Sequence, residues 1–567
     1  MRNGLSKVAL TITWIAGISL SAACAEQIPS LPSLPSVPRA PSVPSLPSVP
    51  QTPAAPDPAE EARRAAERAA SEARKKIEQA IPASGAKGRT EVRGVWVTTT
   101  ANEAIASAKN TGETMRRLRE LGINTVYVES WKNGYTQFPS EVLKKVIGVD
   151  RRPALMKSDP SDAPDAVRTQ GRDLLEETLI EAHRNGLIYV AWFEYGFMAA
   201  HKDTDNHLRR MYPQWLSRDE KGSEVAPNGF VWMNPLHPEP RKLLIDLVVE
   251  AATNYDLDGV QLDDRIVWPY INMGYDDYTK SVYAKENGGK TPPSDIKDAG
   301  WMRWRADKVN EYGKIFTQSV RAAAPGVQIS LSPAVYPWCF ENYLLEWPKW
   351  AAWTEADRVN LGDFAAASKT PARWDEFIPQ NYRYNYPAFE ATWKDQVKYM
   401  QTLGAGRVND LIAGIMSTGS EPKPVAWDDL RKAVELTRSS GAGGHVWWFS
   451  KGTLEVYPEQ TKALYGGFVE SGRFPAGWRE PSVKFSRDEK QADLKDGQVR
   501  WVTASMKPGR YRTITHDGTR WSYLGGPTSV GDAAVAAGTS VTVPSNAKQV
   551  EMIRDRRGDR VALPSAR

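Results

Sequence analysis

The chain has 567 residues, of which 41% are hydrophobic and 25% are charged, so it is long enough for one large domain and one or two smaller modules. Its net charge of +5 is small for this length, and no block of Lys and Arg stands out, which argues against nucleic-acid binding. The only cysteines are Cys24 and Cys339, which excludes a disulfide-rich scaffold.

The first 25 residues have the pattern of an export signal. A positive start at Arg2 and Lys7 is followed by an apolar segment over 8–20 and by small residues up to Ala25. Cleavage after Ala25 would release a soluble protein, whereas 21–24 also reads as a lipobox with Cys24 lipidated. We favour the second scheme because a spacer follows, and it predicts a periplasmic protein anchored to the outer membrane through Cys24.

Two low-complexity segments separate this signal from the rest of the chain. Residues 26–58 repeat Pro at every third position, which favours an extended, semi-rigid spacer without a hydrogen-bonded core. Residues 59–88 are rich in Ala, Glu and Arg, which is typical of an exposed helix. We expect neither segment to carry chemistry.

From residue 89 to 475 the sequence alternates between short apolar runs and helical periodicity. Eight runs are predicted to be strands: 92–99, 125–129, 187–194, 259–263, 327–332, 376–380, 411–415 and 444–449. Helices are predicted near 112–121, 172–185, 237–255 and 301–323. Eight strand–helix units predict an α/β fold, a (β/α)8 TIM barrel, with an open doubly wound sheet as the alternative. No Gly-x-Gly-x-x-Gly follows the first strand, which disfavours that alternative.

The segment 476–567 differs, because short alternating runs at 499–502, 511–514 and 540–543 indicate a small β-rich appendage. A carbohydrate- or partner-binding module and a structural cap both remain open for it.

Polar and aromatic residues follow the predicted strands, where the active sites of such barrels lie. The clearest case is 258–265, a turn and a short strand that end in Asp263 and Asp264 with Arg265 behind them. Adjacent residues of a regular strand face opposite sides, so both aspartates reach one site only if the chain bends after Asp263.

The motifs resemble those of the bacterial family 10-like glycosyl hydrolases. The matching pieces span about 91–470 and comprise Arg93-Gly94-Val95-Trp96-Val97, Ala191-Trp192-Phe193, Trp232-Met233-Asn234-Pro235, the run 258–264, Ser330-Leu331-Ser332-Pro333 and 378–382. The resemblance implies a (β/α)8 barrel with a glycosidase-type site. It also implies a polysaccharide substrate, since some relatives act on peptidoglycan glycan strands that lack their peptides.

Glycoside hydrolysis usually needs two carboxyl groups, one as acid and one as base or nucleophile. We predict Asp263 as the main catalytic carboxylate, held ionised by Arg265, with Asp264 as hydrogen-bonding support. Glu194 is the preferred partner, while Glu129 and Glu341 are reserves. A chitinase-type reading is disfavoured, because Gln261 and Arg265 replace acids of that signature, although acetamido assistance with another acid stays open.

The remaining predicted site residues are substrate contacts at or near strand ends: Trp96, Glu129, Trp192, Asn234, Arg265, Tyr336, Gln380, Tyr382 and Trp447. No cofactor or metal is expected, because the six His residues are scattered and no His-Glu-x-x-His or Gly-x-Ser-x-Gly motif occurs. The alternative to an enzyme is a non-catalytic cell-wall- or glycan-binding lipoprotein on the same scaffold.

Overall fold

The structure is a computed structural model that describes residues 91–156, 171–361, 365–419, 423–471, 482–487, 497–503, 506–532, 534 and 538–556. The predicted signal at 1–25, the Pro-rich segment at 26–58 and the helical segment at 59–88 lie outside the described residues. The expectation that Cys24 is lipidated therefore stays a prediction.

Eight parallel strands occupy the eight predicted positions. They are β1 (Val92–Val97), β2 (Thr125–Glu129), β3 (Ile188–Phe193), β4 (Gly259–Asp263), β5 (Gln328–Ser332), β6 (Glu376–Phe377), β7 (Ala413–Met416) and β8 (Gly444–Trp448). They form one sheet in the order β6-β5-β4-β3-β2-β1-β8-β7.

Hydrogen bonds between β6 and β7 close this sheet into a barrel. The Ile412 N–H donates to the Phe377 carbonyl at 2.9 Å, and the Gly414 N–H donates to the Pro379 carbonyl at 3.1 Å. The backbones approach so closely that a Cβ on Gly414 would lie 2.8 Å from the Pro379 carbonyl oxygen. Closure confirms the (β/α)8 barrel and excludes the open sheet.

Helices follow the strands and cover the outside of the barrel. They are α1 (Ala108–Glu120), α2 (Glu141–Ile147), α3 (Leu174–Arg184), α4 (His207–Met211), α5 (Pro238–Asn254), α6 (Asp277–Glu286), α7 (Ala299–Ala323), α8 (Trp338–Tyr343), α9 (Trp347–Ala351), α10 (Ala365–Lys369), α11 (Tyr386–Gln401), α12 (Trp427–Ser439) and α13 (Pro458–Tyr465). Short 3-10 helices occur at Pro153–Met156, Pro213–Trp215 and Ala405–Asp410, and a π-helix at Gly452–Val456.

Two short hairpins lie in the loops after β2 and β3. The first pairs Trp131–Lys132 with Tyr135–Thr136, and the second pairs Met198–His201 with Phe230–Trp232. Because they follow the carboxyl ends of their strands, both hairpins stand beside the face on which barrel active sites form.

The local sequence explains why β4 takes a buried position between two neighbouring strands. The apolar stripe of α5 buries Leu243, Leu247 and Ala251 against the barrel, as helical spacing requires. All five residues of β4 are buried, and pairing with β3 and β5 on either side places the strand between two parallel neighbours. Asp263 thus arrives at the carboxyl end of a strand held on both edges.

The β-rich C-terminal module is also confirmed. It contains β9 (Val483–Arg487), β10 (Gln498–Thr503), β11 (Gly509–His516), β12 (Trp521–Val530), β13 (Thr539–Pro544) and β14 (Gln549–Arg554), in one antiparallel sheet of order β12-β11-β14-β9-β10-β13.

Charged contacts join this module to the barrel. Arg184 of α3 donates two hydrogen bonds to Glu551 of β14, at 2.8 and 2.9 Å. The Arg556 guanidinium donates to Asp258 at 2.6 Å, just before β4 begins. Asp258 lies at the amino end of its strand, so the module binds the end of the barrel opposite the predicted site.

No helix in the described ranges is long and apolar enough to cross a membrane.

Candidate glycan-cleaving site

Four carboxyl groups collect at the carboxyl ends of three adjacent strands. Glu129 ends β2, Glu194 follows β3, and Asp263 and Asp264 end and follow β4. Each of the four residues is buried. Buried acids are stable only when they are paired, hydrogen-bonded or protonated, so the partners of each one indicate its state.

Asp263 accepts hydrogen bonds from four donors. On Oδ1 the donors are the Gln380 side-chain amide and the Asp264 backbone N–H at 2.8 Å. On Oδ2 they are Trp192 Nε1 at 3.2 Å and Arg265 Nη1 at 2.6 Å. A carboxylate has about four lone-pair positions, so the hydrogen-bonding capacity of ionised Asp263 is filled.

Asp264 has the opposite surroundings. The strand ends at Asp263 and the chain turns, which brings both aspartates to one site. Asp264 Oδ1 is buried and accepts no hydrogen bond from any residue that the structure describes, while Arg265 Nη1 lies 3.5 Å away. The hydrogen-bonding capacity of this oxygen is therefore unfilled.

Arg265 connects this pair to Glu194. Its Nη1 donates to the Glu194 backbone carbonyl at 3.1 Å, and its Nη2 lies 3.7 Å from Glu194 Oε1. One guanidinium thus lies 3.5 Å from Asp264 Oδ1 and 3.7 Å from Glu194 Oε1, which gathers both carboxyl groups around a single cation.

The Lys132 ammonium lies between Glu129 and Glu194. It is 2.6 Å from Glu129 Oε1 and 3.6 Å from Glu194 Oε2. Glu129 Oε2 also accepts hydrogen bonds from the N–H and the hydroxyl of Thr99. Glu194 Oε2, in contrast, accepts no hydrogen bond within the described ranges.

These surroundings push the pKa values of the two glutamates apart. Burial raises the pKa of Glu129, but Lys132, Glu194 and Thr99 together overcome that effect and lower it to about 2. Burial raises the pKa of Glu194 well above its usual range; the adjacent Glu129 adds to the rise and Lys132 opposes it. These effects favour the negative charge on Glu129 and the proton on Glu194.

Burial also raises the pKa of both aspartates, and in each case the Arg265 charge opposes the rise. Asp263 is surrounded by donors alone, which only a carboxylate satisfies, so we place negative charge there.

Aromatic rings close the barrel beneath these acids. Trp448 stacks on Tyr382 at 5.7 Å and meets Trp192 edge-on at 5.9 Å. Trp96 packs against all three, and its indole N–H donates to Gln261 at 2.7 Å. Trp192, Gln380 and Tyr382 thus lie at the predicted site, whereas Trp96 forms the floor under it.

The prediction for Trp447 is wrong. On β8 it pairs with Val95 and faces the helices, where it donates to the Tyr465 hydroxyl at 2.6 Å and stacks on Trp427 of α12. Side chains alternate along a strand, so the inward residue is its neighbour Trp448.

Asn234 also has a structural rather than a substrate-binding position. Its amide donates to Asp276 and Thr279, both at 2.8 Å, and its carbonyl accepts from the Leu236 N–H. These bonds hold the start of α6.

Tyr336 packs edge-on against Tyr399 of α11, and its backbone N–H donates to Gln396.

Lys132 was not predicted, although the sequence contained a signal for it. Asn133-Gly134, at φ values of 51° and 74°, forms the tight turn of the first hairpin. The turn pairs Lys132 with Tyr135 in a hairpin that begins two residues after β2 ends. Lys132 is thereby returned to Glu129, three residues earlier.

A (β/α)8 barrel with carboxyl groups gathered at its strand ends is an arrangement that glycoside hydrolysis can use. The model of the Glycosyl hydrolase-like 10 family matches residues 91–399, and the chain belongs to this family. The match covers β1–β6 and therefore all four acids.

Two curated relatives carry glycosyl hydrolase names. YngK of Bacillus subtilis is 26% identical over 270 residues, which is 44% of this chain and 46% of that protein. DigH of Escherichia coli K12 is 22% identical over 275 residues, 45% of this chain and 57% of that one. The chain thus spans about half the length of the curated relatives that it matches.

Among solved structures, the glycoside hydrolase domain of PgaB (BpsB) from Bordetella bronchiseptica is 15% identical to the chain. The superposition has a TM-score of 0.42 and covers 66% of this chain and 98% of that domain.

Proposed function

We propose that the protein is an exported glycoside hydrolase that cleaves O-glycosidic bonds in peptidoglycan glycan strands. The observation that carries this proposal is the pair Asp264 and Glu194. Each presents a buried carboxyl oxygen without a hydrogen bond from the described residues, and Arg265 lies between the two side chains. Membership of a glycosyl hydrolase-like family supports the reaction class.

Glu194 is the acid in this proposal. It transfers its proton to the glycosidic oxygen as the bond from that oxygen to the anomeric carbon breaks. Asp264, once ionised beside Arg265, is the second carboxylate. It either bonds to the anomeric carbon, forming an ester that water later hydrolyses, or takes a proton from the attacking water.

Asp263 serves this pair without reacting itself. Its filled hydrogen-bond shell holds Arg265, Gln380 and Trp192 in place, and Arg265 in turn contacts both Asp264 and Glu194. This allocation reverses the roles expected for the two aspartates from sequence, because the one with an available oxygen is Asp264.

The test is hydrolysis of purified, peptide-free glycan strands, followed by the appearance of reducing ends. Asp264→Asn and Glu194→Gln should each slow turnover by about 10²–10⁴. The loss in Glu194→Gln should be much smaller on aryl glycosides with a good leaving group, which need no protonation. Glu141→Gln, an exposed acid on α2 with 72% of its side chain accessible, is the matched control.

Two other results are informative. Proton NMR of the first-formed anomer separates retention, expected for an ester intermediate, from inversion. A folded wild-type protein that binds the strands without cleaving them would overturn the enzymatic proposal and favour the glycan-binding alternative.

A further inference from the structure

Glu129 and Glu194 share one buried cation but do not share it equally. Their side chains and that of Lys132 are at most 7% exposed, so water does little to screen the three groups from one another. Lys132 Nζ is closer to Glu129 Oε1, at 2.6 Å, than to Glu194 Oε2, at 3.6 Å. Its third partner is the Thr100 hydroxyl, at 3.1 Å.

Hydrogen bonding increases this asymmetry. Thr99 contributes two donors to Glu129, so this carboxyl has a cation and two further donors around it. Glu194 has no comparable donor on Oε2, and its Oε1 lies 3.7 Å from Arg265 Nη2. The arrangement stabilises negative charge on Glu129 and leaves Glu194 as the member that holds a proton.

We propose that Glu129 is a positioning residue that keeps Glu194 protonated, and that Lys132 limits the strength of this effect. The ionised Glu129 repels a second negative charge on Glu194 and holds the Lys132 ammonium on its own side. The inference rests on the proposed function, because it concerns the acid of that reaction. It adds a role for Glu129 beyond substrate contact and introduces Lys132 to the site.

The groups that face Glu194 come from several elements. Lys132 and Glu129 approach from β2 and its hairpin, Arg265 and the two aspartates from the end of β4, Tyr195 from the residue after Glu194, and Tyr382 from the loop after β6. Arg152 acts on Glu129 from behind the hairpin. Among these, Glu129 and Lys132 can be altered without touching Asp263, Asp264 or Arg265.

Substitutions of Glu129 and of Lys132 should shift the pH at which Glu194 loses its proton in opposite directions. Glu129→Gln removes the repelling charge and leaves Lys132 to pair with Glu194, so the proton is lost at lower pH. The alkaline limb of kcat/KM should therefore move down by on the order of 1–3 pH units. Activity at neutral pH should fall, and it should recover in acid.

Lys132→Met should move the same limb upward, because ionised Glu194 loses its nearest cation. Since that variant leaves Glu129 buried without its ion pair, the double variant Glu129→Gln/Lys132→Met guards against a folding failure. Both substituted side chains in the double variant are neutral. The alkaline limb of its kcat/KM profile should therefore lie at higher pH than that of Glu129→Gln alone. Lys132→Arg keeps the charge, so its alkaline limb should not follow the upward shift of Lys132→Met.

A second readout does not depend on turnover. Infrared difference spectra between each background and its Glu194→Gln derivative report the protonated carboxyl of Glu194 as a function of pH. The titration should shift as the kinetic limb does, and Glu141→Gln should shift neither. A Glu129→Gln protein whose kinetic limb and carboxyl titration both stay at the wild-type pH overturns the inference. If wild type shows no hydrolysis, the proposed function fails while the infrared titration still decides the role of Glu129.

Discussion

Asp263 and Asp264 are chemically identical neighbours in very different environments. Four donors surround the first, whereas the second keeps one oxygen without a hydrogen bond from the described residues. Substituting either with Asn removes a charge at nearly constant size. The consequences should differ, because an amide presents two N–H donors where a carboxylate presents only acceptors.

We predict that Asp263→Asn lowers both stability and turnover. Its NH2 would face groups that are themselves donors, and Arg265 would lose its closest anion, at a cost of about 3–5 kcal/mol for breaking a buried pair. Asp264→Asn should lose turnover with little change in stability. Urea unfolding beside glycan hydrolysis measures both quantities. If Asp263→Asn proves as stable and as active as wild type, Asp263 has neither an anchoring nor a catalytic role.

On strand β8, two adjacent tryptophans point to opposite faces of the sheet and therefore have different roles. Trp448 joins the rings inside the barrel, while Trp447 packs between the sheet and helices α12 and α13. Both are buried. The outward ring is therefore part of the folding core, and the inward ring supports Trp192, which donates to Asp263.

Trp447→Ala should destabilise the protein by about 3–5 kcal/mol, the usual cost of removing a buried aromatic ring. Its affinity for glycan strands should be unchanged below the melting temperature, because the Trp447 ring contacts Tyr465 and Trp427 on the outer side of the sheet. Thermal unfolding and a binding titration on the same sample test this. Weakened binding without loss of stability would instead return Trp447 to the substrate site.

The sequence alone predicted elements well where its patterns were unambiguous. The helix α5 and strand β4 have the spacing and flanking turn expected of them, and the acids at the strand ends meet as the barrel topology requires. The face of Trp447 was mistaken because two adjacent aromatic residues fit either phase of a two-residue period. Lys132 and the partners of Asp263 come from loops and distant strands, and local patterns carry no information about such contacts.

The C-terminal module and the carboxyl site lie at opposite ends of the barrel. The C-terminal module binds the amino end of the barrel through Arg184, Glu551 and Arg556, so these contacts of its described residues lie away from the carboxyl site. Ile180 of α3 adds an apolar contact with Trp521 and Ile553. Of the roles open to the module, a cap of the barrel fits these contacts. The chain enters β1 from the same end.

At this scale, Cys24→Ala tests the proposed anchor, which lies outside the described residues. If Cys24 is lipidated, the wild-type protein should sediment with outer membranes and the variant should appear in the soluble periplasm, since the acyl chains supply the membrane affinity. Glycan hydrolysis by the purified variant should be unchanged. Membrane association that survives the substitution would contradict the lipobox.

The contact between Arg556 and Asp258 joins residues 298 positions apart. Asp258 has its backbone and His183 partners as soon as the first half of the barrel exists, but its guanidinium partner lies 298 residues further along the chain. The Arg556 bond to Asp258 can therefore form only after the C-terminal module has been synthesised. Contacts of such long range form slowly and late. We therefore expect the amino end of the barrel to close only after the module has folded against it.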